Sequence, residues 1–340
     1  MVEFVLSDEQ VALQRLARDF VKRELKPVVM EREKIQDPKE RMPWDLVEKA
    51  SKLGLRTLPY PTEYGGGGQD VLTLCVVGEE LAAGDLGFSV ILDQTWKLAH
   101  ILSHGTTKEQ RDRFLPELCS DHRFLTAICL TESGCGSDHQ GLWDDPSIAL
   151  NTTAKPEGNE YVINGSKQFI SNGGVAKLYV LAARLDLTKK LTESLTGFLV
   201  PADTPGFRVG QFHKKIGQRL VMNAELFFDN MRVPRGNLLL GEGRMMEIRA
   251  RLLACGKPEA AATTLGVGRA AFEDALEYSQ QRVQGGKPLI EHQTISYMLA
   301  DMAIRISAAR NMIWRSAWAV DNTDPYDPKL GWMCKVFASE

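Results

Sequence analysis

The spacing of apolar residues changes twice along this chain of 340 residues, and these changes constrain its fold more than any single motif. Up to about residue 118 the spacing is helical, from 124 to 232 apolar residues fall into short β-rich runs, and from 243 the helical spacing returns. Turn pairs such as Asn164-Gly165 separate the short runs, which is typical of a small antiparallel barrel or sandwich. The pattern therefore predicts an α+β protein whose sheet lies between two helical regions.

We expect three domains: an all-α N-terminal domain (1–123), an antiparallel β-barrel middle domain (124–236) and a C-terminal helical bundle (237–340). The first helix begins at Ser7, because Ser7-Asp8-Glu9-Gln10 has the pattern of a capping box. The last helix begins near Lys329 and continues to Glu340 without a C-cap signal. We therefore interpret the bundle as truncated and expect a fragment, although a naturally short chain is the alternative.

The amino-acid composition limits the kinds of partner that the protein is expected to bind. Forty-one Lys and Arg residues against 44 Asp and Glu residues give a formal charge of −3, which does not favour nucleic acid or an anionic membrane. No apolar span of 18 residues predicts membrane insertion, and the N-terminus has no basic, apolar leader. The six cysteines are far apart, as expected for reduced thiols, and the six histidines show no metal-ligand spacing. We expect a cytoplasmic protein without a metal, or a mitochondrial-matrix protein in a eukaryote, although no transit peptide is recognisable.

One stretch combines groups suited to ligand binding. The apolar run 124–130 leads directly into Thr131-Glu132-Ser133-Gly134-Cys135-Gly136-Ser137-Asp138. The two glycines have no Cβ, so a ligand can approach the backbone amides there, and the hydroxyl groups can bind a polar or phosphorylated group. The alternative is an ordinary turn after a strand.

A second segment, 161–174, favours the first interpretation. It has the sequence Y-V-I-N-G-S-K-Q-F-I-S-N-G-G and is followed by the apolar run 178–183. The two segments together resemble the flavin-binding middle domain of acyl-CoA dehydrogenases. The matching patterns are T-E-x-G-x-G-S-D and, after it, Y-V-I-N-G-x-K-x-(aromatic)-I-(S/T)-N-G. The resemblance extends over nearly the whole chain and includes the Y-G-G-x-G-x-D loop at 64–70.

The resemblance implies an FAD site in the middle domain. Residues that line the isoalloxazine ring would be Ile128, Leu130 and Thr131, and the pyrophosphate would lie near Gly136 and Ser137. Phe169, where the family often has Trp, would stack near the ring, and Ser171 would hydrogen-bond toward N5. The alternative for Phe169 is an aromatic residue of the barrel core.

Two further cofactor contacts are implied from a neighbouring subunit. Arg282 and Gln293 match positions that contact the pyrophosphate and adenine end of the flavin, and a guanidinium suits a diphosphate. Gly285 stands where the family often has an aromatic residue. These contacts imply a homotetramer or homodimer. Alternatively, Arg282 is a charge at a helix C-terminus that interacts with the helix dipole.

The implied reaction is FAD-dependent α,β-dehydrogenation of an acyl-CoA to the 2-enoyl-CoA, with electrons passed to an electron-transferring flavoprotein. Ser137 and Lys257 would contact the substrate, and Lys257 replaces the usual Arg. The alternatives are a flavin oxidase or monooxygenase of the same fold, and a non-catalytic subunit that binds flavin or acyl-CoA. The acyl chain length does not follow from the sequence.

The catalytic carboxylate is not recognisable in this chain. The family's base is most often a Glu in a segment that would lie beyond Glu340, and Gly256 occupies the alternative position. Glu247 and Glu259 are nine and three residues from Gly256 and point elsewhere on a helix.

Three further features complete the predictions. Glu132 and Asp138 are expected to be structural. Val221 and Asn223 replace the family's S-x-T pattern, which removes hydroxyls from that strand. Residues 143–148 look like a surface insertion.

Overall fold

A computed structural model describes residues 5–140, 145–148 and 150–340, with the side chains of residues 139 and 140 excepted. The chain forms two compact units. The helical unit contains the described residues up to Met30, Gln69–Ser89 and Leu253–Glu340, and the sheet unit contains those of Glu31–Gly68 and Val90–Leu252. The domain boundaries at 123 and 236 stay a prediction. The predicted insertion at 143–148 lies partly outside the described residues.

The helices before the sheet agree with the apolar spacing. The capping box at Ser7 is confirmed, because Ser7 Oγ accepts from Gln10 N and Gln10 Oε1 accepts from Ser7 N. A π-helical turn, Val21–Leu25, separates the first two helices. The helices are α1 (Asp8–Phe20), α2 (Lys26–Lys34), α3 (Pro38–Arg41), α4 (Trp44–Lys52), α5 (Val71–Gly84), α6 (Leu86–Gly105) and α7 (Lys108–Ser120).

Among the described residues of the middle of the chain, eight strands and one short α-helix are present. They are β1 (Thr126–Cys129), β2 (Thr153–Glu157), β3 (Glu160–Ser171), β4 (Leu178–Arg184), α8 (Leu191–Ser194), β5 (Leu195–Pro201), β6 (Phe207–Phe212), β7 (Asn223–Pro234) and β8 (Leu238–Leu239). The strand order is β6-β7-β3-β2-β4-β5-β8, and β1 pairs with β4.

The predicted closed antiparallel barrel is wrong in this detail. Among the described strands, β6 and β8 are the two ends of an open sheet, and β1 and β2 both pair with β4 in parallel. The alternation of apolar residues specifies which face of a strand is buried, but not whether the two edge strands meet. The remainder of the α+β expectation, helices followed by a sheet and then helices, is confirmed.

The core of the sheet unit lies on both sides of β4. Leu178 and Val180 belong to an apolar cluster that includes Leu98 of α6 and Leu115 of α7. The alternate β4 residues, such as Tyr179, belong to a second cluster. Because both faces are covered, β4 is an uninterrupted buried run rather than an alternating one.

The C-terminal helices are long and closely packed. They are α9 (Met245–Gln281), α10 (Gln293–Asn322) and α11 (Pro328–Ser339), with a hairpin of β9 (Val283–Gln284) and β10 (Lys287–Pro288) after α9. A Cβ at Gly266 would lie 2.3 Å from the Glu79 carbonyl oxygen, so α9 approaches α5 closely. Gly266 is therefore a packing position, where a larger residue would not fit. No helix in the described ranges is long and apolar enough to cross a bilayer.

Candidate active site

The Thr131–Asp138 stretch forms a tight turn after β1. Glu132 and Cys135 exchange two backbone hydrogen bonds of 3.1 Å, which places Ser133 and Gly134 at the tip. A Cβ added at Gly134 would meet no atom of the described residues within 4 Å, and the same holds for Gly136. Protein packing therefore does not require glycine at either position, and open space lies beside the exposed backbone.

Glu132 is buried beneath this turn. Its carboxylate accepts hydrogen bonds from Asn151 N (2.6 Å), from Thr152 N and Oγ1 (3.0 and 2.6 Å) and from Lys167 Nζ (2.8 Å). Burial alone would raise the pKa of Glu132, but the Lys167 charge and these hydrogen bonds outweigh burial and lower it. These contacts fit the expected structural role of Glu132.

Lys167 of β3 connects the same turn to the sheet. Its Nζ also donates to the Leu130 carbonyl oxygen at 3.0 Å, and its side chain is fully buried. Burial lowers the pKa of Lys167, although Glu132 opposes the shift. The adjacent Gln168 N donates to the Thr131 carbonyl oxygen at 2.9 Å. Two of the three predicted ring-lining residues, Leu130 and Thr131, are thus fastened to the strand that carries Phe169.

Phe169 lies at an irregularity of β3. The pairing with β7 shifts register between Lys167 and Ile170, and Phe169 has a φ of 59°, in the left-handed region. Its side chain is 57% exposed and its ring centroid is 4.7 Å from that of His213. The alternative of a core aromatic is wrong, because the bulge turns this side chain away from the core.

Two hydroxyl groups belong to residues connected with this part of β3, since Gln168 N donates to the Thr131 carbonyl oxygen and Ser171 follows Phe169 by two residues. Thr131 precedes the turn and Ser171 ends β3, and both are half-buried. Neither hydroxyl has a hydrogen-bond partner among the described residues. Ile128 and Leu130 are half-buried against the core, whereas Gly136 and Ser137 are exposed. The sheet unit thus contains all seven predicted middle-domain contacts.

Arg282 and Gln293 lie in the helical unit. Arg282 follows α9 and donates its backbone N–H to the Tyr278 carbonyl oxygen, and Gln293 begins α10. Both residues are exposed. The position of Arg282 also fits the alternative of a charge at the end of a helix, so both interpretations remain.

The other predicted residues of the helical unit lie on α9. Gly256 has no side chain that could accept a proton, and Glu259 is buried. Lys257 Nζ lies 3.7 Å from the ring centroid of Trp332 on α11, a cation–π contact that the sequence analysis missed. The predicted contact between Lys257 and substrate stays a prediction.

Three domain models of one protein family match successive parts of the chain. Residues 7–122 match the family model "Acyl-CoA dehydrogenase, N-terminal domain", 127–231 match the middle-domain model and 246–340 match the C-terminal-domain model. An acyl-CoA dehydrogenase of Bacillus subtilis (strain 168) is 36% identical over 98% of this chain and 85% of its own length.

The chain belongs to the acyl-CoA dehydrogenase family.

It is therefore an oxidoreductase that dehydrogenates acyl-CoA, and it uses a flavin. Butyryl-CoA dehydrogenase from Megasphaera elsdenii matches with a TM-score of 0.89 and 35% identity, over 99% of this chain and 85% of that chain. A chain described with the electron transferring flavoprotein of Acidaminococcus fermentans has a TM-score of 0.89 and 33% identity, over 99% and 85%. A glutaryl-CoA dehydrogenase from Mycobacterium smegmatis, in complex with FADH2, has a TM-score of 0.85 and 26% identity, over 98% and 81%.

The residues of the sheet unit fit a flavin. A flat heterocycle with a polar edge requires an apolar surface, hydrogen-bond donors and accessible backbone. The sheet unit offers the exposed Phe169 ring, the Thr131 and Ser171 hydroxyls, which have no partner among the described residues, and the exposed backbone at Gly136. When bound, the flavin supplies the hydride acceptor, and the protein supplies orientation and electrostatics.

Sequence analysis missed the anchoring role of Lys167. A signal was present, because Lys167 has the same parity in β3 as the buried Tyr161 and Ile163, and alternation directs it inward. A buried lysine requires an anionic partner, and Glu132 was one of the two carboxylates in the neighbouring motif, with Asp138.

Proposed function

We propose that this protein binds FAD, oxidises a short-chain acyl-CoA to its 2-enoyl-CoA and delivers the electrons to an electron-transferring flavoprotein. The observation that carries the FAD site is the fastening of the Leu130–Thr131 backbone to β3 beside the exposed Phe169 ring. Short acyl chains are the first to test, because the similar proteins include a butyryl-CoA dehydrogenase.

The residues of this chain act by holding the reactants. The Thr131 and Ser171 hydroxyls would donate to the polar edge of the flavin, and the Phe169 ring would cover part of one apolar surface. Ser137, on the exposed turn, would contact substrate or pyrophosphate. Preorganised donors of this kind stabilise charge where it develops in the transition state.

The group that accepts the α-proton is not assigned. Glu247 of α9 is exposed and is paired with Arg244 through two hydrogen bonds of 2.6 and 2.7 Å. Those bonds lower the pKa of Glu247, and a depressed pKa weakens a carboxylate as a proton acceptor. Glu247 is therefore a poor substitute for the carboxylate that Gly256 does not supply.

A homo-oligomer is part of the same proposal. Arg282 and Gln293 are exposed, as required of residues that reach a flavin in a neighbouring subunit. The helical unit also exposes large apolar side chains, among them Tyr297, Ile304 and Phe337. Sedimentation at several protein concentrations tests this, and a monomer throughout would contradict it. The cytoplasmic location stays a prediction.

Anaerobic mixing with butyryl-CoA tests the reaction. We expect the visible flavin absorbance to bleach, and we expect added electron-transferring flavoprotein to restore it. A colourless protein that takes up no FAD would contradict the cofactor. Bleaching followed by rapid reoxidation and peroxide release in air would favour the oxidase alternative.

A further inference from the structure

Asn223, at the start of β7, contacts Phe169 from two directions. Its side chain is 8% exposed, and its Nδ2 donates to the Phe169 carbonyl oxygen at 2.8 Å. Its own backbone carbonyl accepts from His213 N at 2.8 Å, and the His213 ring packs against the Phe169 ring. One residue therefore holds the backbone of Phe169 and also the segment that supports its ring.

The backbone at Phe169 requires such a contact. A residue with a Cβ is disfavoured at a φ of 59°, and it keeps that conformation only when its surroundings impose it. The register shift between Lys167 and Ile170 interrupts the regular ladder at this point. The Asn223 amide supplies a hydrogen bond from outside the ladder.

Stability alone does not explain an amide here. Asn223 Oδ1 is buried and has no hydrogen-bond partner among the described residues, which destabilises the folded protein. A threonine hydroxyl, which the S-x-T pattern of the family would provide, donates a hydrogen bond without leaving a second polar atom unpaired. The hydrogen bond that the amide donates to the Phe169 carbonyl oxygen offsets part of this cost.

We propose that Asn223 is a positioning residue that fixes the left-handed backbone at Phe169 and so orients its ring toward the bound flavin. The flavin part rests on the proposed function. The backbone part rests on the contacts of the sheet unit alone. The two parts therefore need separate measurements.

The experiment compares Asn223→Val with Asn223→Thr. Valine and threonine have nearly the same shape, and only threonine can donate a hydrogen bond to the Phe169 carbonyl. Asn164→Val is the matched control, because Asn164 also joins β3 to β7, through two exposed hydrogen bonds with Asn230. Circular dichroism establishes that each variant is folded.

Hydrogen exchange in the flavin-free protein tests the backbone part. We expect peptides covering 168–173 to exchange about tenfold faster in Asn223→Val, as for the loss of one hydrogen bond. Exchange in Asn223→Thr and Asn164→Val should match the starting protein. Equal exchange in the Val and Thr variants would overturn the proposal. If Asn223→Val does not fold, Asn223→Ala and Asn223→Ser give the same comparison.

Flavin titration tests the second part. We expect Asn223→Val to bind FAD about tenfold more weakly and to show an altered visible band, and Asn223→Thr to restore both. Unchanged affinity and spectrum in Asn223→Val would overturn the link to the flavin. If the starting protein takes up no FAD, the proposed function fails, whereas the exchange measurement still decides the backbone part.

Discussion

The two compact units both bury carboxylates beside basic side chains, but the donors differ. In the sheet unit, Glu132 accepts from Lys167 and also from the backbone and hydroxyl of the chain just before β2. In the helical unit, Glu79 and Glu80 of α5 contact only arginine side chains among their described ion-pair partners.

The two sets of ion pairs hold different parts of the protein in place. Arg269 lies between the two glutamates, Arg18 pairs with Glu80, and Arg310 pairs with Glu79. That network joins helices α1, α5, α9 and α10 through side chains. The Glu132–Lys167 pair instead orders backbone, because Lys167 also binds the Leu130 carbonyl. Only the second arrangement shapes a candidate ligand site.

Lys167→Met gives the strongest test of this comparison. Because Glu132 would stay buried without its cation, we expect a loss of about 3–5 kcal/mol in the free energy of unfolding, measured by urea denaturation. The double variant Lys167→Met, Glu132→Gln should recover much of the loss. A loss below about 1 kcal/mol would show that Glu132 does not depend on Lys167.

Arg269→Met should have a smaller effect. Each glutamate keeps one arginine, Arg18 or Arg310, so we expect a loss of about 2–3 kcal/mol by the same measurement. A loss of unfolding free energy larger than that of Lys167→Met would contradict the comparison. It would mean that Arg18 and Arg310 do not compensate for Arg269 in the helical unit.

The close approach of α9 to α5 is tested by two glycines. Gly266→Ala should cost about 1–3 kcal/mol, because its Cβ would overlap the α5 backbone. At Gly268 a Cβ would meet no described atom within 4 Å, so Gly268→Ala should stabilise the helix by about 0.5–1 kcal/mol. Thermal unfolding of both variants measures the difference. Equal effects would contradict close packing at Gly266.

Acid should weaken the helical network. Burial alone would raise the pKa of Glu80, but hydrogen bonds from Arg18 and Arg269 outweigh it, so the folded-state pKa lies below the ordinary value. The stabilisation is thus present above the unfolded-state pKa and is lost as the pH falls through the folded-state pKa. In Glu80→Gln, the free energy of unfolding should therefore fall less steeply as the pH is lowered, and urea denaturation at a series of pH values measures this. An unchanged dependence of the free energy of unfolding on pH would assign the acid sensitivity to other groups.

Arg232→Met should have the smallest effect. Arg232 of β7 pairs with Glu160 of β3 and with Glu157 of β2, and all three side chains are exposed. Water and salt screen such pairs, so we expect a denaturation midpoint within error of the starting protein. A clear loss would mean that exposed pairs also stabilise the sheet unit.

Much of the fold was predictable because its signals are local. The capping box at Ser7 begins α1, and the short β-rich runs correspond to the observed strands within a few residues. The closed barrel was predicted wrongly, because closure depends on how edge strands meet across the sheet, and that arrangement leaves no periodic signal along the chain.

The candidate site also has features that could be predicted from the sequence and features that could not. The motifs around Thr131 and Phe169 identify the family, because residue type and spacing there are read directly from the chain. The contacts of Lys167 with Glu132 and of Asn223 with Phe169 join residues 35 and 54 positions apart. They depend on strand pairing and on one bulge in β3.

Residue types and their spacing along the chain were thus sufficient to assign helices, strands, family and the class of cofactor. The exposure of the Phe169 ring, the left-handed backbone beneath it and the buried pair under the turn were decided only when distant strands came together. The physical reason is that periodicity and turn chemistry act over a few residues, whereas burial and hydrogen-bond partners are set by neighbours that folding supplies.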